Sequence, residues 1–151
     1  MAIDIAPVLV RLRSHAAACG LFRIVYGHEP KTTPVAGSDL AAAFWLQSIE
    51  PYSNMSGLSE TAALVRVTCR LYALAQSEPA DAIDDAMAMA VVKLMEIYNG
   101  DFELAGTATA IDVMRMTAEA GYIEYDDGSA KLRVFTITIP IRFSSAWAQA
   151  A

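Results

Sequence analysis

The sequence predicts an α+β domain in which a largely antiparallel or mixed sheet carries two main helices on one face. Three observations lead there. Two stretches place apolar residues at helical spacing, one long stretch alternates apolar with polar residues, and the elements run helix, three strands, helix, three strands. At 151 residues the chain fits one domain, residues 1–151, because that length buries enough surface to hold a core without staples. Residues 144–151 have no periodicity and read as an extended tail.

Ile5, Val8, Leu9, Leu12, Ala16 and Cys19 define the first helix, with Asp4 placed as N-cap, Pro7 tolerated in the first turn and Gly20 as the stop. Leu21–Tyr26 is rich in aromatic and β-branched residues and reads as a strand closed by Gly27. His28–Asp39, with two prolines and a glycine, should be a loop long enough to serve as a contact surface. Ala42–Ile49 returns to extended chain, and Glu50–Glu60 breaks it with Pro51, Asn54 and Gly57, giving a second projecting loop. The clearest strand is Thr61–Leu74, where Ala63, Val65, Val67, Cys69 and Leu71 alternate with Leu64, Arg66, Thr68, Arg70 and Tyr72. Asp81 can cap a second helix whose buried stripe is Ile83, Met87, Ala90, Val91, Leu94, Met95 and Tyr98, ending at Asn99-Gly100. Strands are then expected at Thr107–Val113, Gly121–Tyr125 and Leu132–Phe143, the last two joined as a hairpin through Asp126-Asp127-Gly128-Ser129. Six strands in a small open sheet leave unpaired edges, which pairing with a neighbouring copy would cover.

Composition excludes several classes. Every candidate apolar run, Ala86–Val92 and Val134–Ile141 included, is interrupted before it reaches the roughly 20 residues of a membrane span. Met1–Arg13 lacks the features of a signal peptide, so folding in the cytosol is expected, with Cys19 and Cys69 as buried thiols. A net charge of −6 argues against wrapping nucleic acid, though it suits a surface that DNA slides past. Neither His15 nor His28 has a second ligand at a metal-binding spacing, and the acids Asp81, Asp84 and Asp85 are explained by the helix dipole. His15 reads as structural or solvent-facing; His28 beside Glu29 could form an acid–base couple, yet no nucleophile elbow accompanies it. No catalytic, cofactor or metal residues are therefore assigned, and the expectation is a non-enzyme. Met87, Met89, Met95, Met114 and Met116 read mostly as core fillers. Arg66 and Arg70 project from one strand face, with Arg133 as an addition from the last hairpin; they are either a solvated face or partners for a neighbour's acids.

Several stretches, taken in order, resemble the tail terminator proteins of long-tailed, non-contractile bacteriophages. They are the opening helix, Gly27-His28-Glu29-Pro30-Lys31, Phe44-Trp45-Leu46-Gln47-Ser48-Ile49, Ser56-Gly57-Leu58 before the strand Val65–Tyr72, Tyr98-Asn99-Gly100-Asp101-Phe102, Ala120-Gly121-Tyr122, Phe135-Thr136-Ile137-Thr138-Ile139-Pro140 and Ala146-Trp147. The resemblance spans nearly the whole chain and rests on order and spacing, with no single diagnostic motif. It implies a homo-oligomeric ring, typically a hexamer, at the tail–neck junction of the virion, made and assembled in the host cytoplasm. It also implies partners: the major tail tube protein, a head–tail stopper or connector, the end of the tape measure, and DNA in transit without specific binding. Contact residues are then expected at His28, Glu29 and Lys31, at Ser53, Asn54, Met55 and Leu58, and at Arg66, Arg70, Arg133 and Trp147. The competing readings are another neck or head-completion protein, and a small ligand-binding domain or hydrolase centred on His28.

Overall fold

Helix α1 spans Ala6–Ala18, and its buried side chains Val8, Leu12 and Ala16 repeat every four residues, which lines them on one face. The computed structural model describes residues 3–31, 34, 39–52, 60–74, 80–108, 110–124 and 131–148. Ile5, not Asp4, occupies the N-cap position, and no side chain caps the helix; Pro7 in the first turn presets the backbone instead. The helix ends where expected, with Gly20 in the left-handed region at φ +76°.

Strand β1 is only Ile24–Tyr26, shorter than the six residues read from sequence, because Leu21–Arg23 are still crossing from the end of α1 to the sheet. It pairs in parallel with β2, Ala41–Pro51, through Ile24↔Ala41 to Tyr26↔Ala43. Every other strand pairing among the described residues is antiparallel. Strand β2 pairs with β3, Glu60–Leu74, and is bulged between Leu46 and Ser48. Helix α2, Ala80–Gly100, starts one residue ahead of Asp81 and ends at the predicted Asn99-Gly100. Of its predicted stripe, Met87, Ala90, Val91, Leu94 and Tyr98 are buried, and Ile83 and Met95 are half-buried against them.

The segment after α2 departs most from expectation. Leu104 and Ala105 adopt positive φ, two 3₁₀ turns form at Leu104–Gly106 and Val113–Arg115, and the predicted strand Thr107–Val113 shrinks to β4, Ala110–Ile111. The physical reason is local: the Thr107 hydroxyl donates to the Leu104 carbonyl at 2.7 Å, holding a turn where a strand would need extension. Strand β5, Thr117–Ile123, begins earlier than Gly121. It pairs antiparallel with β6, Leu132–Ala148, from Thr117↔Thr138 to Ile123↔Leu132, as expected; the predicted turn Asp126-Asp127-Gly128-Ser129 lies outside the described residues. Strand β6 also runs through the predicted tail, because Glu60 and Thr61 of β3 pair again with Ala148 and Trp147 in a shifted register beyond an irregularity near Ala63.

The strand order among the described residues is β1-β2-β3-β6-β4, with β5 sharing the outer side of β6 with β4. Register then sorts side chains between faces. Ala42, Phe44, Ala63, Val65, Val67, Cys69, Leu71, Ile137, Ile139 and Ile141 point to the helices and form the main core. The opposite face holds a smaller cluster of Ala41, Ala43, Tyr72, Leu132 and Val134, and then turns polar toward Arg66 and Glu50. The helix layer is anchored by Tyr98, fully buried, whose hydroxyl donates to the Leu12 carbonyl at 2.9 Å. Burying a residue such as Leu12 contributes about 1.5–3 kcal/mol.

Candidate functional site

The expected contact residues fall in separate places. His28, Glu29 and Lys31 are exposed just past β1, where the His28 ring stands edge-on to Tyr26 with centroids 5.6 Å apart. Beside them Pro30 and Pro34 are buried, and the Tyr26 hydroxyl donates to the Pro34 carbonyl at 3.4 Å; residues 32, 33 and 35–38 of the predicted loop lie outside the described residues. Ser53, Asn54, Met55 and Leu58 lie outside the described residues.

Arg66 and Arg70 do share one face, the one without helices, and both are engaged within the chain. Arg66 pairs with Glu50 of β2. Arg70 donates from Nε to the Thr136 hydroxyl at 3.1 Å and lies over the Trp45 ring, 5.3 Å from its centroid. Between them Thr68 donates to the Gln47 side-chain oxygen at 3.1 Å. Arg133 does not join this row, which corrects the grouping read from sequence. Its partner across the ladder is Ala73, so it points to the helix side and bonds Asp84 of α2 at 2.9 Å. It also stacks on Tyr122 at 4.5 Å, while Lys131 approaches the same ring at 4.8 Å. The sequence parity of Leu132–Phe143 was readable; the pairing that assigns Arg133 its face was not. Trp147, expected on an extended tail, instead sits in β6 and is 41% exposed.

Two features were missed by sequence reading, and a third was expected without its strands being identified. The first is a polar clamp. Asp101 accepts from His15 Nε2 at 2.7 Å and from Arg11 Nε at 2.9 Å through one oxygen, and from the Ala105 backbone N–H at 3.0 Å through the other. Partial burial pushes the carboxyl up, but the hydrogen bonds from His15, Ala105 and Arg11 and the charge of Arg11 outweigh it and bring it down to about 2. The clamp resembles the orienting half of a catalytic triad, yet the adjacent Ser14 hydroxyl donates to the Val10 carbonyl at 2.8 Å, turned along its own helix. Its evident work is to tie α1 to the turn after α2. The spacing of Asp101 past the helix end carried no sign of this.

The second is an apolar groove of about 480 Å³ between the end of α1 and α2, lined by Cys19, Leu21, Ala88, Met89, Val92, Lys93 and Glu96. Met89 and Val92 are exposed there, and Met114 is exposed elsewhere, so only Met87 and Met116 of the five methionines are fully core residues, with Met95 half-buried. Burial pushes the Cys69 thiol far up its range; Cys19 is half-exposed, and both cysteines are free.

The third is the pair of sheet edges. Leu46 and Ile49, on the part of β2 that β1 does not cover, and Tyr122 on β5 are exposed large side chains. Among the described residues no group of three or more His, Cys, Asp or Glu side chains is placed to hold a metal, and no helix is long and apolar enough to cross a membrane. No family model matches the chain. A search of the curated proteins also gives no match.

Proposed function

We propose that the chain is a structural subunit of a phage tail terminator ring, a hexamer that caps the tail tube, stops its growth and joins it to a head–neck connector. The observation that carries this reading is a sheet with exposed large apolar side chains on two strands bare on their outer side among the described residues, Leu46 and Ile49 on the part of β2 beyond β1 and Tyr122 on β5. Such edges are templates on which another strand can pair, and a ring of identical copies covers them. The ordered resemblance along the sequence supplies the identity of the ring, and the tail tube protein, the connector and the end of the tape measure are its partners in this reading. The net charge of −6 supports a lumen through which DNA slides without being held.

Electron micrographs of particles made without the protein test the proposal. Abnormally long, headless tails are expected, and normal tails joined to heads would overturn it. Mass measurement of the full chain, alone and mixed with purified tail tubes, gives the second check: a hexamer or a capped tube is expected, and a strict monomer in both conditions would refute the ring.

A further inference from the structure

We infer that successive copies join edge to edge, the outer side of β2 in one copy pairing with the outer side of β5 in the next. The contact is heterologous, and its closure into a ring rests on the function proposed above.

Strand β1 covers only Ala41–Ala43 of β2. From Phe44 to Pro51, β2 has β3 on one side and no strand among the described residues on the other. Strand β5 pairs along its whole length with β6 and likewise has no outer strand among the described residues. Outward backbone N–H and C=O groups on such edges need water or another chain, and an added strand satisfies them in series.

Side chains and strand direction agree with the pairing. Leu46 faces the same side as its cross-strand partner Val67, and Ile49 the same side as Val65, which is the helix side. Tyr122 lies opposite Arg133, which contacts α2, so it also faces the helix side, two residues from the exposed Ala120. Joining the edges therefore brings Leu46 and Ile49 (41% and 46% exposed) against Tyr122 (55% exposed) on one continuous face. Three successive antiparallel steps, β2 to β3 to β6 to β5, leave β2 and β5 running in opposite directions. A neighbour related by rotation about an axis along the strands thus presents β5 antiparallel to β2.

Height along the sheet adds a constraint. The uncovered part of β2 lies opposite Ala63–Cys69, whereas β5 lies against Leu132–Thr138, which face Thr68–Leu74. Neighbours must shift along the strands by about five residues, roughly 17 Å at 3.3 Å per residue, which a closed ring accommodates by tilting the strands against its axis. A constant shift per subunit is what tilts the strands of a closed barrel. A twofold β2–β2 contact would leave β5 uncovered.

Two variants of the full chain test the pairing, Leu46→Lys with Ile49→Lys for one edge and Ala120→Lys for the other, followed by sedimentation and circular dichroism. Each variant alone is expected to be a folded monomer under conditions where the unaltered chain assembles, alone or on tail tubes. Their equimolar mixture should give a dimer and nothing larger, since one good contact remains per pair. A mixture that stays monomeric, or an Ala120→Lys chain that assembles normally, overturns the β2–β5 pairing while leaving a ring intact. An unaltered chain that never assembles overturns the ring itself. Hydrogen exchange on the unaltered chain needs no substitution: assembly should slow exchange at least about tenfold in both Phe44–Pro51 and Thr117–Ile123. Unchanged exchange at either edge would refute the inference.

Discussion

Replacing Asp101 with Asn keeps the shape of the side chain and removes the charge that Arg11, His15 and the Ala105 N–H converge upon. The carboxyl's fall from 3.8 to about 2 corresponds to about 2 kcal/mol of stability by linkage, and partial solvent screening of Asp101 and Arg11 reduces this to about 1 kcal/mol. The sign follows from the lowered value. Folding favours the ionised carboxylate, so the contribution is complete above the unfolded pKa of about 4 and is lost as pH falls through about 2. Urea unfolding of both chains from pH 7 to pH 2 should therefore show a gap of about 1 kcal/mol that holds to about pH 5 and narrows at lower pH. A gap of constant size across that range would refute the charge argument and leave only a shape effect.

Four further outcomes are expected. Leu12→Ala should cost about 2–5 kcal/mol in denaturant unfolding, because Leu12 is wholly buried; Tyr98→Phe, which removes only the bond to the Leu12 carbonyl, should cost about 0.5–1.5 kcal/mol. Gly20→Ala should lower stability by about 1 kcal/mol through its positive φ alone, since nothing lies within 4 Å of the added methyl; an unchanged melting temperature would contradict this. In native protein a thiol reagent should modify Cys19 and spare Cys69, which is buried with its thiolate strongly disfavoured; rapid modification of both without denaturant would show that the core opens.

The fold was legible where one physical pattern dominated. The alternation in β3 and the stripe of α2 announce burial directly, and the same residues form the core. Legibility failed where tertiary partners decide. Ser144, Ser145 and Ala146 have no strong preference for a strand, yet β6 continues through them because β3 pairs with it again, in a shifted register, beyond Ala63. Thr107–Val113 has the composition of a strand, but the positive φ of Leu104 and Ala105 and the turn closed by Thr107 hold most of it out of the sheet. At the candidate site, Arg66 and Arg70 were placed on their common face correctly, because two residues of one strand need no partner to share a side. Arg133 needed one. Exposure at Leu46, Ile49 and Tyr122 is a property of strand order and of how little of β2 is covered by β1, and no window of sequence contains it.

The ladder between β3 and β6 runs from Glu60↔Ala148 to Leu74↔Leu132, with α2, β4 and β5 lying between its strands in the chain. The middle of the sheet is thus built from segments far apart in sequence, and its central strand is synthesised after all the other described elements. Such non-local closure places folding at the slow end for a domain of this size, on a scale of milliseconds to seconds. Until β6 is in place, β3 has a bare side and Ile137, Ile139 and Ile141 are missing from beneath the helices. The nascent chain therefore spends its synthesis with an incomplete core, the interval in which holding chaperones would matter most for its yield.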